Sequence, residues 1–367
     1  MEARISRNNL LTVLNRCVGV VPPKGPIVHV TNFLIESREN AVIATGTDLG
    51  NTITCAVEAD VVSEGKAVVN AKKLMDIVRE LSGEEIHLVS QENYSLNLQC
   101  ACGKFMMAGL NPDEFPAAPE FEKEQTATIK GQDLSGMIRR ILFAVSSPDL
   151  SLLTSGALLS IGENKLTLVG TDGHRLAWVR RSLQTEIVDH SVMVSKKVLV
   201  ELKKIADDFS DSDLELGFSG SFLICTIENT VLYGRLNEEE FPDYRSVIPE
   251  SPEKRIVIPS EPFTRSLRRV SLLTDDQSHG VRLLFRDNLL TVKSQDSDYG
   301  DATETIEINQ VEEEVKLVFN AAYVLEFLGV ADTDEISISL NSELAPCAFQ
   351  LMGDDQYICV IMPLQTD

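Results

Sequence analysis

The sequence predicts an α+β fold built from three consecutive copies of one unit, each about 124 residues long. Three observations predict it: turn motifs that recur at a constant interval, alternating apolar runs beside them, and two amphipathic helices per copy. A period of this length indicates that one supersecondary unit recurs along the chain.

Two turn motifs recur along the chain. The first is an acidic residue followed by asparagine. Its three asparagines are Asn40, Asn164 and Asn288, with an interval of 124 residues between one and the next. Because asparagine tolerates φ > 0, this pair between two alternating runs predicts a tight hairpin turn. The second motif contains an aspartate at the same interval, and its copies are at Asp48, Asp172 and Asp296.

Each copy also has two segments with helical periodicity. Apolar residues recur at i, i+3, i+4 or i+7, which gives each helix one face that can cover a sheet. Asp133 and Ser195 occupy positions expected for N-caps. The predicted helices cover residues 8–17, 71–81, 132–143, 195–205, 261–272 and 320–328.

Charged segments separate the copies and set the predicted domain boundaries. We expect domains at residues 1–121, 127–249 and 255–367, with linkers near 120–125 and 249–254. Two or three domains are typical of a chain of this length.

The composition excludes several classes of protein. The hydrophobic content of 43% is sufficient for packed cores and is unlike that of disordered or collagen-like chains. No apolar run reaches the roughly 18 residues of a membrane span, and the polar N-terminus is not typical of a signal peptide. The seven scattered cysteines indicate a reducing, cytoplasmic location. Because they lack zinc-site spacing we expect no metal, and because no segment is typical of a membrane span we expect no membrane partner. We also expect no cofactor.

The distribution of charge leaves two interpretations open. A net charge of −23 argues against nucleic acid, but the six predicted helices hold 13 of the 33 lysines and arginines. These can be ordinary solvated helix faces, or they can form one basic surface if the helices of successive copies share a side. Few aromatic residues accompany them, which argues against stacking on single strands and favours sequence-independent attraction to phosphates.

The most enzyme-like cluster contains Asp172, Gly173, His174 and Arg175. Its Asp and His are compatible with acid–base chemistry, so a hydrolase centred on Asp172 and His174 is the main alternative function. The other copies keep the aspartate and lack the histidine, which favours a structural role in closing a turn. No zinc-binding histidine pattern, phosphate-binding loop or nucleophile elbow occurs, and we predict that the protein is not an enzyme.

The chain resembles the bacterial sliding clamp family, the β subunit of DNA polymerase III. The resemblance extends over essentially the whole chain and rests on TDGHRL at 171–176, EFPDYR at 240–245, GVRL at 280–283 and VIMPL at 360–364. It implies three clamp-type domains, each with two helices packed on antiparallel sheet, and protomers that form a head-to-tail homodimeric ring around double-stranded DNA. The implied function is processivity: the ring slides without sequence specificity and tethers the replicative DNA polymerase, the clamp loader and other replication and repair proteins. A monomeric peptide-binding module remains a further alternative.

The resemblance also implies three sets of site residues. A peptide-binding pocket is expected to contain Thr171, Gly173, His174, Arg175, Leu176, Pro242, Val247, Val360, Ile361, Met362, Pro363 and Leu364. The expected DNA contacts are Lys24, Lys72, Lys73, Arg79, Arg139, Arg140, Lys196, Lys197, Lys203, Arg265, Arg268 and Arg269. The expected dimer interface contains Phe105, Met107, Leu272, Leu273, Lys73, Lys104, Asp298, Asp301 and Glu304.

The pocket departs from that of the well-studied enterobacterial clamp at two positions. That clamp has an arginine where this chain has Ser246 and a leucine where it has Thr154, so the charge and depth of the rim are expected to differ. The last residues, 365–367, lack the family's frequent final arginine, which leaves the peptide preference open.

Overall fold

The computed structural model describes residues 1–119, 126–146, 156–183, 189–249, 251–275, 278–294, 300–309 and 313–365. Three positions discussed above, Thr154, Asp296 and Asp298, lie outside the described residues, as does the predicted linker at 120–125. Among the described residues, each copy of the repeat contains two α-helices and several antiparallel strands.

The first copy begins with a strand and a helix, crosses a series of strands, and ends with a second helix and its strands. Its elements are β1 (Glu2–Ser6), α1 (Arg7–Cys17), β2 (Asn32–Arg38), β3 (Ala41–Thr47), β4 (Asn51–Glu58), β5 (Asp60–Ser63), β6 (Gly65–Asn70), α2 (Ala71–Glu80), β7 (Glu85–Ser90), β8 (Leu96–Cys100), β9 (Gly103–Met107) and β10 (Gly109–Leu110).

The other two copies follow the same order. The second contains β11 (Thr126–Lys130), α3 (Gly131–Leu142), β12 (Gly156–Gly162), β13 (Lys165–Thr171), β14 (Arg175–Ser182), β15 (His190–Ser195), α4 (Lys196–Asp208), β16 (Asp213–Ser219), β17 (Phe222–Ile227) and β18 (Thr230–Asn237). The third contains β19 (Lys254–Pro259), α5 (Ser260–Val270), β20 (Gly280–Arg286), β21 (Leu289–Ser294), β22 (Thr303–Glu307), β23 (Val315–Asn320), α6 (Ala321–Leu328), β24 (Glu335–Leu340), β25 (Cys347–Leu351) and β26 (Tyr357–Ile361).

The six predicted helices are all present, with ends that differ by at most three residues. Ser195 immediately precedes α4, as expected of an N-cap. The N-cap prediction for Asp133 was wrong, because α3 begins at Gly131 and Asp133 lies in its first turn. The sequence also gave no sign of the strand that precedes the first helix of each copy, namely β1, β11 and β19.

The chain divides into two compact units. One is formed mainly by Met1–Ser135 and Lys197–Asn237, and the other by Gly136–Leu183, Val188–Lys196 and Glu238–Asp367. The first unit contains a nine-stranded antiparallel sheet with the order β10-β6-β2-β3-β4-β18-β17-β16-β11. It also contains a five-stranded sheet with the order β5-β1-β7-β8-β9.

The second unit likewise contains one larger and one smaller antiparallel sheet. Its larger sheet has eight antiparallel strands in the order β15-β12-β13-β14-β26-β25-β24-β19. Its smaller sheet has the order β22-β21-β20-β23.

Helices α1 and α2 pack together in the first unit, and α5 and α6 pack together in the second. Each presents an apolar face to the strands: in α2, Leu74 and Val78 are buried whereas Lys72 and Lys73 are exposed. Aromatic side chains fill the core beneath α6, where the rings of Phe327 and Phe349 meet edge to face at 5.5 Å. The predicted periodicity therefore identifies the buried helix faces.

The acidic–Asn turns have left-handed backbone. Glu163 and Asn164 have φ of 51° and 57°, and Asp287 and Asn288 have φ of 51° and 64°. Two successive residues with φ > 0 match the right-handed twist of the strands that a two-residue hairpin joins. The prediction placed this backbone on the asparagine alone, but in the second and third copies the acidic residue shares it. In the first copy the prediction was wrong, because Glu39 has φ of 53° and Asn40 has no positive φ.

Candidate peptide-binding groove

A tight turn between β13 and β14 forms one wall of the candidate site. One Asp172 carboxylate oxygen accepts hydrogen bonds from the backbone N–H groups of His174 and Arg175, both at 3.0 Å. The Thr171 hydroxyl accepts one from the Gly173 N–H at 3.2 Å and donates to the Arg175 carbonyl at 2.7 Å. Gly173 has φ of 88°, a conformation that glycine adopts at little cost. The turn is therefore fixed by its own side chains.

The first copy of the repeat forms the same turn between β3 and β4. The Asp48 carboxylate accepts hydrogen bonds from the N–H groups of Gly50 and Asn51 at 3.0 and 2.6 Å. The Thr47 hydroxyl accepts one from the Leu49 N–H at 3.1 Å. In both copies the aspartate thus has the turn-closing role that its recurrence predicts.

This use of the aspartate contradicts the hydrolase hypothesis. The second Asp172 oxygen accepts a hydrogen bond from the Arg175 guanidinium at 3.0 Å, so both oxygens are engaged. The His174 ring is exposed and stacks on Tyr323, with 6.3 Å between ring centroids. The pair therefore lacks the contact that acid–base catalysis by Asp172 and His174 would use.

Arg175 anchors the turn to the rest of its unit. Its side chain is 7% exposed and forms an ion pair with Glu326 on α6. Its guanidinium also donates to the Phe143 carbonyl at 2.7 Å and lies 4.4 Å from the centroid of the Tyr323 ring. Burial, followed by the nearby Asp172 carboxylate, raises the pKa of Tyr323. Arg175 is therefore held by contacts on several sides.

Beside this turn lies a groove of about 510 Å³. Leu176 on β14 and Val360 on β26 lie on adjacent strands and form its apolar floor, with 4% and 2% of their surface exposed. Val247 and Met362 line its sides with 38% and 40% exposed. Apolar side chains that remain accessible within a concave site are typical of a ligand-binding groove.

The structure brings nine of the twelve predicted pocket residues together in this groove. Ile361, Pro363 and Leu364 do not line it. Ile361 is fully buried, because successive strand residues point to opposite faces and Val360 takes the groove face. The Leu364 N–H donates to the Val318 carbonyl at 2.7 Å, on the smaller sheet.

Four groove residues were missed by the prediction: Asp172, Glu240, Asp243 and Tyr244. Three of them belong to the EFPDYR phrase at 240–245, of which the prediction assigned only Pro242 to the pocket. Tyr244 packs against the apolar cluster to which the floor residues Leu176 and Val360 belong. The carboxylates of Glu240 and Asp243 add negative charge to the lining of the groove.

The two positions that differ from the enterobacterial clamp are Ser246 and Thr154, of which the structure describes only Ser246. Ser246 is exposed, its hydroxyl donates to the Asp243 carbonyl at 3.0 Å, and it does not line the groove. Thr154 lies outside the described residues.

Half of the residues predicted to contact DNA have acidic partners in the fold. Lys197 forms an ion pair with Asp48. Burial alone would raise the pKa of Asp48, but the hydrogen bond and charge of Lys197 and the hydrogen bonds from Asn51 lower it overall. Arg140 is 11% exposed and pairs with Asp354 at 2.7 Å. The other paired residues are Arg139, Lys203, Arg265 and Arg269.

The remaining predicted DNA contacts have no ion pair with any residue that the structure describes. Lys196 donates to the Val145 carbonyl at 2.7 Å, and Arg79 to the Asn15 side chain at 3.4 Å. The other four, all exposed, are Lys24, Lys72, Lys73 and Arg268.

Four of the predicted interface residues lie on strands at sheet edges: Lys104, Phe105 and Met107 on β9, and Glu304 on β22. β9 ends the five-stranded sheet and β22 ends the four-stranded sheet, as far as the described strands show. On β9, Phe105 is 38% exposed, Met106 is 71% exposed, and Met107 is 7% exposed and packs into its own unit.

The rest of the predicted interface is mostly exposed. Leu272 is 79% exposed, and Leu273 is half-buried. Glu304 on β22 pairs with Arg269, which lowers the pKa of Glu304. Lys73, Lys104 and Asp301 are exposed.

Within the described part of the chain, no three His, Cys, Asp or Glu side chains are grouped so that they could hold a metal ion. None of the helices in that part has the length and apolar character that crossing a bilayer requires.

Comparison with solved structures identifies the fold as that of a DNA polymerase sliding clamp. The sliding clamp of Bacillus subtilis superimposes with a TM-score of 0.95 at 24% identity, covering 100% of both chains. A clamp from Pseudomonas aeruginosa, solved bound to griselimycin, also gives a TM-score of 0.95 at 25% identity over 100% of both chains. The beta sliding clamp of Staphylococcus epidermidis is 28% identical over the full length of both chains.

Family models give the more specific assignment. The N-terminal, central and C-terminal domains of the DNA polymerase III beta subunit match residues 1–119, 128–243 and 245–365. The chain therefore belongs to the DNA polymerase III beta subunit family, the bacterial sliding clamps.

Proposed function

We propose that this protein is a DNA sliding clamp that acts in the cytoplasm and catalyses no reaction. Two protomers close into a ring around duplex DNA, and the ring tethers proteins that work on that DNA. The observation that carries the proposal is the succession of three beta-subunit domain matches along one chain.

The ring closes through the two sheet edges described above. A head-to-tail contact joins two different surfaces of neighbouring protomers. It produces a closed ring when the rotation that relates the protomers brings the last one back to the first. The edge strand β9 with Phe105 in one unit, and the edge strand β22 and the exposed Leu272 in the other, provide two different surfaces of this kind. Burial of exposed edges also removes sites for uncontrolled strand pairing.

The unpaired basic residues provide the attraction to DNA. Lysines and arginines that contact phosphates carry no sequence information, so a protein held by them can slide. Lys72 and Lys73 on α2 and Arg268 on α5 have this property, because no described acidic residue neutralises them. Since the net charge is −23, such contacts are weak, and retention on DNA comes from the closed ring.

The groove next to the Thr171–Arg175 turn receives short apolar segments of partner proteins. Its floor of Leu176 and Val360 takes apolar side chains, and its polar rim orients the peptide. The partners are the replicative DNA polymerase, the clamp loader and other replication and repair proteins. The Pseudomonas aeruginosa clamp solved with griselimycin supports the presence of a ligand site in this fold.

Retention on DNA of different topology tests the ring. The protein is loaded by its clamp loader onto nicked circular DNA, the sample is divided, and one half is linearised with a single-cutting restriction enzyme. We expect slow loss from the circle and rapid loss from the linear ends. Equal retention on both would contradict encirclement.

A further inference from the structure

The hairpin formed by β8 and β9 has two cysteines at its turn. Cys100 pairs with Gly103 at the end of the ladder, so Ala101 and Cys102 are the two turn residues. Cys102 is exposed and Cys100 is partly exposed. Gly103 has φ of 156°, and no described atom lies within 4 Å of the position that a Cβ would occupy. Solvent therefore reaches the turn.

The two sulfur atoms face each other. The Cys100 Sγ and the Cys102 Sγ are 2.8 Å apart. A shared hydrogen bond between two thiols places one sulfur ready to attack the other once either is oxidised. Neither the fold nor the proposed clamp function uses this contact.

The other five cysteines differ from this pair. Cys17, Cys55, Cys225, Cys347 and Cys359 are all buried. Burial raises the pKa of Cys225 and of Cys347 to about 12, which suppresses their reactive thiolate form.

Cys102 has the opposite environment. The hydrogen bond from the Cys100 thiol, followed by hydrogen bonds from the Ser82 backbone and hydroxyl, lowers the pKa of Cys102. A thiolate that is accessible and next to a second thiol is the arrangement that oxidants select.

We propose that Cys100 and Cys102 form a dithiol site that reacts with hydroperoxides and closes to an intramolecular disulfide. The Cys102 thiolate attacks the peroxide: an S–O bond forms, the O–O bond breaks, and the alcohol or water leaves after protonation. The Cys100 thiolate then attacks the sulfenic sulfur of Cys102, the S–S bond forms, and water leaves. Two thiols lose two electrons in all, and the hydroperoxide is reduced by two electrons.

Peptide mapping can test this directly, because trypsin releases residues 80–104 as one peptide that contains only these two cysteines. The reduced full-length protein is treated with equimolar hydrogen peroxide, denatured, alkylated with N-ethylmaleimide and digested. We expect the peptide to be lighter by two hydrogens and to carry no maleimide, and dithiothreitol to restore two alkylatable thiols. A peptide with two maleimides after oxidation would overturn the proposal.

Two variants assign the roles. Cys102→Ser should slow peroxide consumption and leave Cys100 alkylatable, whereas Cys225→Ser, which removes a buried thiol, should still give the light peptide. If the Cys102→Ser protein consumed peroxide as fast as the parent, the nucleophile would not be Cys102 and the proposed site would be wrong.

Discussion

At the scale of single residues, the groove contains two kinds of side chain. Arg175 and Asp172 are engaged in holding the turn, with the guanidinium bound to Glu326 and to the Phe143 carbonyl. Val247 and Met362 are accessible and form no such network. Substitutions of the first kind are therefore expected to affect stability, and those of the second kind to affect affinity alone.

Replacing Met362 tests this division. Met362→Ala should weaken binding of a fluorescent peptide from the partner polymerase by roughly fivefold, about 1 kcal/mol, because it removes apolar contact area in the groove. Met352 is 36% exposed and does not line the groove, so Met352→Ala is the matched control and should bind normally. Equal losses in both variants, measured by anisotropy, would show that the peptide binds elsewhere.

The pH dependence of stability reports on Asp354. Burial alone would raise its pKa, but hydrogen bonds from Arg181 and the Gln356 N–H, and the charge of Arg140, lower it overall. A carboxyl group with a lowered folded-state pKa stabilises the fold above its unfolded pKa, about 3.9, and this stabilisation is lost as pH falls through the folded value.

Asp354→Asn should therefore reduce the free energy of unfolding by about 1–3 kcal/mol at pH 7 and by less below pH 4. Urea unfolding at pH 7 and pH 3 measures both values. A difference between variant and parent that stays constant across this range would contradict the assignment.

At the scale of elements, local pattern predicted the helices and the hairpin turns, because a helix face and a turn each depend on a few adjacent residues. It missed β1, β11 and β19, which are short and pair with strands far along the chain, as β11 does with β16. The resemblance assigned Ile361 to the pocket, whereas side-chain alternation along β26 places Ile361 and Val360 on opposite faces. Long-range pairing decides where β1, β11 and β19 lie, and no local signal contains it.

The turn at Asn288 gives an element-scale prediction. Because its φ is 64°, Asn288→Val should lower the free energy of unfolding by about 1–2 kcal/mol, whereas Asn288→Gly should leave it nearly unchanged. Urea denaturation measures the two variants against the parent. A valine variant as stable as the glycine variant would show that the left-handed backbone does not limit this position.

At the scale of the whole molecule, the clamp assignment made from four short phrases is confirmed by the family matches along the chain. The charge pattern was only partly predictable. Helical position identified the basic residues, but the pairing of Lys197 with Asp48 joins residues 149 apart and became visible only in the fold. Which cations remain available to DNA is thus a property of tertiary structure.

Leu272 tests the proposed ring. Leu272→Ala should raise the dissociation constant of the homodimer about tenfold, about 1.4 kcal/mol, because an interface loses most from its central apolar groups. Leu344 is 67% exposed and lies outside the proposed interface, so Leu344→Ala should dimerise normally. Sedimentation velocity distinguishes them, and a parent protein that is monomeric at micromolar concentration would contradict the ring.

The unpaired cations give a second prediction at this scale. Lys72→Ala and Arg268→Ala should each reduce the salt dependence of DNA binding, lowering the slope of log K against log salt by about one. Lys66 on β6 pairs with Glu36 at 2.8 Å, so Lys66→Ala should leave the slope unchanged. A slope that changes equally in all three variants would indicate a general effect of net charge.

The shared turn has a consequence for how the three copies diverged. In both described copies, threonine and aspartate close the loop with the same backbone hydrogen bonds, while the next three residues are Leu49, Gly50 and Asn51 in one and Gly173, His174 and Arg175 in the other. After duplication of an ancestral unit, these two residues could maintain the closed loop in each described copy. The following three could then take different roles in each copy, as Arg175 does by pairing with Glu326, so a recognition site could arise in one copy without disturbing its siblings.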